Sequence, residues 1–317
     1  MTIIVPDNFH VKSELEERRI VCIPKGRADK QDIRPLRIGI LNIMPHAQNY
    51  EFSLLFALGR SIIQIEPVWI RFENHAYKTT NRIHLESQYV TFAESVREQR
   101  LDGLILTGAP VEHLPYEDIT YWDELNTILE YAKEHVPSTL GICWGALALA
   151  KNIGIEKEMY DKKLFGVFEL TNLNHHHEVT GEMDDVFWCP QSRHAFIPDV
   201  KMEDAEKRGD INLLAHSEET GYVIFESSDK KFLMHLGHME YDAERLISEY
   251  ERDLDSGRDD VQAPVNLDVN NPVNRWRSSG IEFFTQWIKY VYLETPFCQP
   301  PVEFVSSKNK STKKTGI

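Results

Sequence analysis

The strongest constraint on this 317-residue chain is a set of short, almost uninterrupted apolar runs. They are "LRIGILNI" (36–43), "IEPVWIRF" (65–72), "LDGLILTG" (101–108), "STLGIC" (138–143), "YVIFES" (222–227) and "KFLMHLGH" (231–238). Continuous rather than alternating apolar character marks strands covered on both faces. Between the third and fourth runs lies "TYWDELNTILEYAKEHV", where Trp122, Leu125, Leu129, Ala132 and Val136 recur at helical spacing. Thr120 stands where a helix cap would, with Asp123 three residues on. A second helix is expected over "NYEFSLLFALGRS", with Phe52, Leu55, Phe56 and Leu58 on its apolar side and Gly59 as its stop. The alternation specifies an α/β fold, a mostly parallel central sheet flanked by helices.

Composition narrows the function classes. Hydrophobic residues at 42% and aromatics at 10% give enough material for a large core. A formal charge of -15 disfavours nucleic acid, because an acidic surface repels the phosphate backbone. Apolar runs are too short to span a bilayer, and "MTIIVPDNFHVKSELEERR" lacks a basic segment followed by an apolar core, so a cytoplasmic protein without a membrane partner is expected. Cys22, Cys143, Cys189 and Cys298 are widely spaced without a CxxC pair, which fits reduced thiols. The consecutive His175, His176 and His177 point in different directions, so they are expected in a surface loop and no metal site is predicted.

Residues 1–297 are expected to form one α/β domain, with 1–35 as an extension packed on it. The polar, basic stretch "SSKNKSTKKTGI" suggests that 298–317 is a disordered tail. "ERDLDSGRDDVQAPVNLDVNNPVN" reads as a long excursion before the amphipathic "IEFFTQWIKYVYLE".

One constellation suggests chemistry. In "TLGICWGALA" Cys143 ends a strand run, where ligands bind in open α/β sheets. Gly141 and Gly145 permit a sharp strand-to-helix turn, after which the Trp144 N–H would face a developing oxyanion. Taken alone, the motif favours a buried structural cysteine over a nucleophile. A base must come from elsewhere in the chain, and "FLMHLGHMEYD" offers one. His238 and Glu240 are two residues apart, so in extended chain they share a face and the carboxylate can orient the imidazole. His235, inside the apolar run, is expected to be a core histidine.

Strand, Cys, turn and helix, followed much later by strand, Gly-His-x-Glu, resemble the class I glutamine amidotransferase architecture. More closely, the blocks "RADKQDIRPLRIGILNIMP", "LDGLILTGAPVEHLPYEDITYWDEL", "STLGICWGA", "KLFGVFE", "SRH", "GHMEYD", "EYERD", "PVNRWRS" and "WIKYVYLETPF" resemble the homoserine O-acyltransferase family of methionine biosynthesis, of the homoserine trans-succinylase type. The resemblance covers about Ile4 to Phe297. It implies ping-pong transfer from an acyl-CoA substrate, with no bound cofactor, through a thioester on Cys143. His238 would be the proton acceptor and Glu240 its partner, with Lys163, Ser192 and Arg252 as substrate contacts. A glutamate at position 112 goes with acetyl-CoA in this family and a glycine with succinyl-CoA, so Glu112 implies acetyl transfer. A homodimer is implied by the family alone.

The chain departs from the family near the expected pocket. Ala47, after His46, stands where members carry a lysine, and Gln191 where they tend to have a histidine; Tyr50 and Phe52 replace smaller polar residues. These changes keep L-serine beside L-homoserine as an acceptor, since one methylene is worth only about 1 to 3 kcal/mol in a pocket. The segment "NHAYKTTNRIHLESQYVTF" is expected to help line the site. Two other readings use the same residues: a glutaminase-like cysteine hydrolase, and a non-catalytic relative of the fold.

Overall fold

The computed structural model describes residues 2–257, 261–296 and 300–304. The chain begins with strand β1 (Thr2–Ile4), helix α1 (Lys12–Glu17), β2 (Val21–Ile23) and α2 (Lys25–Ala28). It continues through β3 (Leu36–Leu41), α3 (Ala47–Leu58), β4 (Ile65–Arg71), α4 (Arg82–Gln88), β5 (Val90–Thr91), α5 (Phe92–Val96) and β6 (Gly103–Leu106). Next come α6 (Trp122–His135), β7 (Ser138–Ile142), α7 (Trp144–Asn152), β8 (Glu158–Asn172), β9 (Val186–Phe196) and α8 (Asp199–Arg208). The last elements are β10 (Ile211–Ser217), β11 (Gly221–Ser227), β12 (Phe232–His235), α9 (Ala243–Asp255) and α10 (Arg277–Glu294).

All the described strands join one sheet in the order β2-β1-β4-β3-β6-β7-β12-β11-β10-β8-β9, with β5 on β4. Pairing is parallel from β2 across to β12. From β12 to β9 it is antiparallel. The six apolar runs fall on β3, β4, β6, β7, β11 and β12, as expected, and the buried strands account for their lack of polar alternation. The antiparallel wing is additional. β8 begins and ends polar, and β9 is interrupted by Pro190 and the polar run 191–194, so they lack the apolar signature of the centre.

Beyond the sheet, the N-terminal 35 residues contribute two strands to the parallel edge rather than a separate layer. The helix expected after residue 120 is α6, but its N-cap is Tyr121 and no side chain caps it. Thr120 Oγ1 instead lies 3.3 Å from His75 Nδ1. Asp123 and Glu124 in the first turn complement the helix dipole in place of that cap. Trp287 of α10 is fully buried and donates to Ser138 Oγ at 3.1 Å, fixing this helix under the start of β7. Burial of a side chain this large stabilises the fold by roughly 1.5 to 3 kcal/mol or more. Residues 300–304, expected in a disordered tail, dock on the body: Arg100 Nε donates to Pro300 O at 2.7 Å, and Phe304 meets the Phe92 ring at 4.9 Å. Apolar contact explains the difference, since the basic composition that suggested disorder belongs to residues 306–317, which lie outside the described residues along with Cys298.

Candidate active site

At the carboxyl end of β7 the chain turns abruptly into α7, and Cys143 is the turn. Its backbone has φ 54° and ψ -115°, a conformation that L residues rarely hold. Two glycines make the turn feasible. A Cβ on Gly145 would stand 2.2 Å from Leu106 O, and one on Gly141 would stand 2.7 Å from Ala146 N. The strained residue is thus clamped between β6 and the first turn of α7. Trp144 opens α7, so its N–H has no intrahelical acceptor and is free to face a ligand at Sγ.

The neighbouring strand supplies the second group. β12 runs parallel to β7 with His235 opposite Ile142, and Cys143 N donates to His235 O at 2.8 Å. The chain then leaves the strand and turns at 238–241, where Tyr241 N donates to His238 O at 3.1 Å. His238 Nδ1 lies 2.6 Å from Glu240 Oε1, and the imidazole is near enough to the Cys143 thiol to favour its ionised form. The expected pair is therefore present, although a turn rather than extended chain makes it. Tyr50 OH donates to the same Glu240 oxygen at 2.8 Å.

Charges at the triad follow from its surroundings. Burial pushes the Cys143 thiol above its ordinary value, and His238 opposes that shift. Burial alone would depress His238, but Tyr241, Glu240 and Cys143 outweigh it and hold the imidazole well above its ordinary value. An imidazole held up in this way beside a thiol is the arrangement that a general base requires. His235 behaves as expected of a core histidine. It is fully buried, and desolvation pushes it down to about 3.

A cavity of about 330 Å³ opens over Cys143 and is lined by Glu112, Lys163, Ser192, His238 and Arg252, with Glu240 set behind His238. Glu112, on the loop after β6, is only 6% exposed, and its Oε1 lies 3.9 Å from Cys143 Sγ. Burial raises its carboxyl to about 7, against the lowering effect of the His194 backbone, Lys163 and His238. Lys157 Nζ holds the same loop by donating to Glu112 O at 2.6 Å and Leu114 O at 3.1 Å.

Opposite this loop, the β8–β9 hairpin and α9 form a charged wall. Lys163 sits where the β8–β9 register shifts between Met159 and Leu164, an irregularity that re-aims a side chain. It donates to Glu249 Oε1 at 2.8 Å and Asp253 Oδ2 at 2.7 Å. Ser192 also donates to Glu249 Oε1. Burial opposes ionisation of Glu249, but Lys163 and Ser192 prevail and bring its carboxyl down to about 2. Arg252, half-exposed, reaches Asp253 Oδ1 at 3.0 Å and retains an open side toward the cavity.

Glu249, Asp253 and Tyr50 were not anticipated in these roles. Glu249 and Asp253 are an acidic pair at i, i+4 of one helix, unfavourable unless a cation lies between them, and that pattern is the signal that could have located them.

Several expectations about the departures are corrected. Ala47 is fully buried in the core and does not line the cavity; His46, in the left-handed region at φ 51°, does. Tyr50 is behind the triad, and Phe52 stacks on Phe56 away from the site. Gln191 faces the opposite side of β9 from Ser192, donating to Cys189 Sγ at 3.3 Å and accepting from Arg193 Nε at 2.9 Å. The 74–92 segment supports rather than lines the site: Thr79 and Thr80 hydroxyls accept from the His46 and Ala47 backbones. His177, expected on the surface, is buried, 3.2 Å from Glu226 and accepting from Val179 N and Thr180 N.

A profile of the family "Homoserine O-succinyltransferase" matches residues 2–297. The chain belongs to this homoserine O-acyltransferase family. It is 41% identical over 302 residues to a "Homoserine O-acetyltransferase" of Bacillus subtilis (strain 168), covering 94% of this chain and 99% of the relative. A Geobacillus kaustophilus protein of the same name is 43% identical over 304 residues, again covering 94% and 99%. A glutamine amidotransferase from Thermotoga maritima superposes with a TM-score of 0.51 at 14% identity, covering 81% of this chain and 99% of that one. The last likeness concerns the fold, which is of the class I glutamine amidotransferase type. Family membership makes the chain an acyltransferase, and no helix among the described residues is long and apolar enough to cross a membrane.

Proposed function

We propose that this acyltransferase moves an acetyl group from acetyl-CoA to the hydroxyl of L-homoserine, with L-serine as the alternative acceptor, in sulfur amino acid biosynthesis. The observation that carries the choice of donor is Glu112, buried with its carboxyl 3.9 Å from the reactive sulfur. A succinyl chain would bring a second carboxylate against it, whereas an acetyl methyl leaves the side chain undisturbed. The names of the bacterial relatives support the same transferred group and acceptor.

In this reading Cys143 Sγ attacks the thioester carbonyl and its proton passes to His238, whose charge Glu240 stabilises. The Trp144 N–H stabilises the oxyanion. The carbon–sulfur bond to CoA breaks and the proton leaves with the CoA thiolate. The acceptor hydroxyl then gives its proton to His238 and forms the ester bond, and Cys143 Sγ departs and is reprotonated. Arg252 binds the acceptor carboxylate through its open side. Lys163 and Ser192 hold Glu249 ionised, where it meets the acceptor ammonium.

Incubation with acetyl-CoA alone is expected to add one acetyl group to Cys143, read by intact mass and peptide mapping. Adding L-homoserine then discharges it, and kcat/KM is compared for homoserine and serine with acetyl- and succinyl-CoA. Ammonia release from glutamine with acetyl-CoA inert would sink this reading in favour of the hydrolase, and unmodified Cys143 in both assays would favour the non-catalytic relative.

A further inference from the structure

Outside the cavity, three side chains from separate parts of the sequence converge on one point. His10 lies in the turn between β1 and α1, Glu51 in α3 and His84 in α4. One donor atom from each lies within 4.8 Å of the other two. His84 Nε2 is 2.7 Å from Glu51 Oε1, and His10 Nδ1 is 3.7 Å from Glu51 Oε2. The two imidazoles meet edge to face with centroids 4.9 Å apart.

Two details distinguish this group from a chance surface cluster. Glu51 is fully buried, yet its Oε2 accepts no hydrogen bond among the described residues and faces His10. A buried carboxylate oxygen normally has a partner, and leaving one without any is costly. The second detail is the support around the donors. His10 Nε2 lies 3.3 Å from Gln48 O, so that carbonyl takes the Nε2 proton and leaves the Nδ1 lone pair toward Glu51. Tyr89 OH donates to Glu51 Oε1 at 2.6 Å and is itself fixed by Asn42 Nδ2 at 2.8 Å.

We infer that His10, Glu51 and His84 form a binding site for a divalent transition-metal cation of the zinc class. Two imidazoles and one carboxylate suit zinc, cobalt or nickel better than magnesium or calcium, which prefer all-oxygen sets. Contraction of the three donors onto ligand distances of about 2.0 to 2.2 Å closes the group. The half-exposed side of His10 gives the ion entry and leaves a fourth position for water. Such an ion ties the N-terminal turn to α3 and α4, a link independent of the acyl-transfer reading.

The test uses the full chain stripped of metal, in a Cys143→Ala background so that the thiol cannot compete. Cobalt(II) is titrated by its visible absorption and zinc(II) by calorimetry. One equivalent is expected to bind, and His10→Ala, His84→Ala and Glu51→Gln are each expected to weaken it more than about tenfold, since even outer-shell partners cost about 10- to 100-fold. His175→Ala/His176→Ala should leave affinity unchanged. If Glu51→Gln does not fold, His10→Ala, altering a half-exposed turn residue, still decides the matter. Absence of binding up to about 100 μM metal, a concentration far above that needed to fill typical zinc sites, or binding indifferent to both histidines, overturns the proposal.

Discussion

Tyr50 donates a 2.8 Å hydrogen bond to Glu240, on the same oxygen that faces His238. The phenol sits on α3 and belongs to no catalytic motif, yet it fixes the carboxylate from behind. Glu240 Oε2 has no hydrogen-bond partner among the described residues, so Tyr50 and His238, both on Oε1, together determine how the carboxylate is turned. Tyr50→Phe is expected to lower kcat about tenfold while leaving the acetyl-CoA KM near its original value. A fall in stability of about 1 to 2 kcal/mol should accompany it, since one buried hydrogen bond is lost. Steady-state kinetics together with urea unfolding check both, and unchanged kcat would show that the contact only packs.

Removal of the nucleophile or base should be more severe. Cys143→Ala and His238→Ala are each expected to cut kcat/KM by more than about 10³-fold, and the double variant little further, because the two act as a unit. Additive losses in the double variant would contradict a shared proton path.

Glu112→Gly removes a charge and opens volume beside Cys143. The ratio of kcat/KM for succinyl-CoA over acetyl-CoA should rise about 10- to 100-fold, the scale of a few kcal/mol in pocket discrimination. A ratio that stays put would move donor selection away from this residue.

The same residue governs part of the pH dependence of stability. Burial raises the Glu112 carboxyl from 4.5 to about 7, so its contribution is fully present below 4.5 and lost as pH rises through 7. Glu112→Gln abolishes this titration, and its stability relative to the parent should improve between pH 5 and 8 by on the order of 1 to 3 kcal/mol. Glu51, also raised to about 7 by burial, acts in the same sense in both proteins and cancels in the difference. Urea midpoints measured across this range give the difference, and parallel curves would refute the assignment.

Gly145→Ala places a methyl where 2.2 Å separates it from Leu106 O. Neither the strand nor the helix can retreat cheaply, so a cost above about 3 kcal/mol and loss of acyl transfer are expected. Thermal unfolding and the thioester assay measure the two effects separately.

The parts of this protein that were readable from sequence are those whose physics is local or strongly periodic. Apolar runs gave the parallel strands, and Gly141, Cys143 and Gly145 gave the elbow. His238 and Glu240 were found by their spacing, though a turn replaced the extended chain. What escaped was set by distant partners. The motif marks Lys163 as a substrate contact and the structure places it in the cavity wall, but its ion pairs with two carboxylates of α9 lie too far along the chain to be read from that motif. Tyr50 was read as a pocket residue because it adjoins a pocket motif, whereas the helical turn between His46 and Tyr50 carries it behind the triad. β8 and β9 carry no continuous apolar run, because β8 is polar and mostly exposed through its first half and β9 is broken by Pro190 and the polar residues 191–194.

The adjacency of β7 and β12 has a consequence for how such a protein can diversify. Cys143 and His238 hang from neighbouring rails, held in register by backbone pairing, while Lys163, Ser192, Glu249 and Arg252 come from segments inserted between them along the chain or following them. The β8–β9 hairpin and α9 can therefore be exchanged as a cassette without resetting the distance between Cys143 and His238. On the proposed reading a new acceptor is reached by redrawing that cassette, with Cys143 and His238 left as the fixed axle on which it turns.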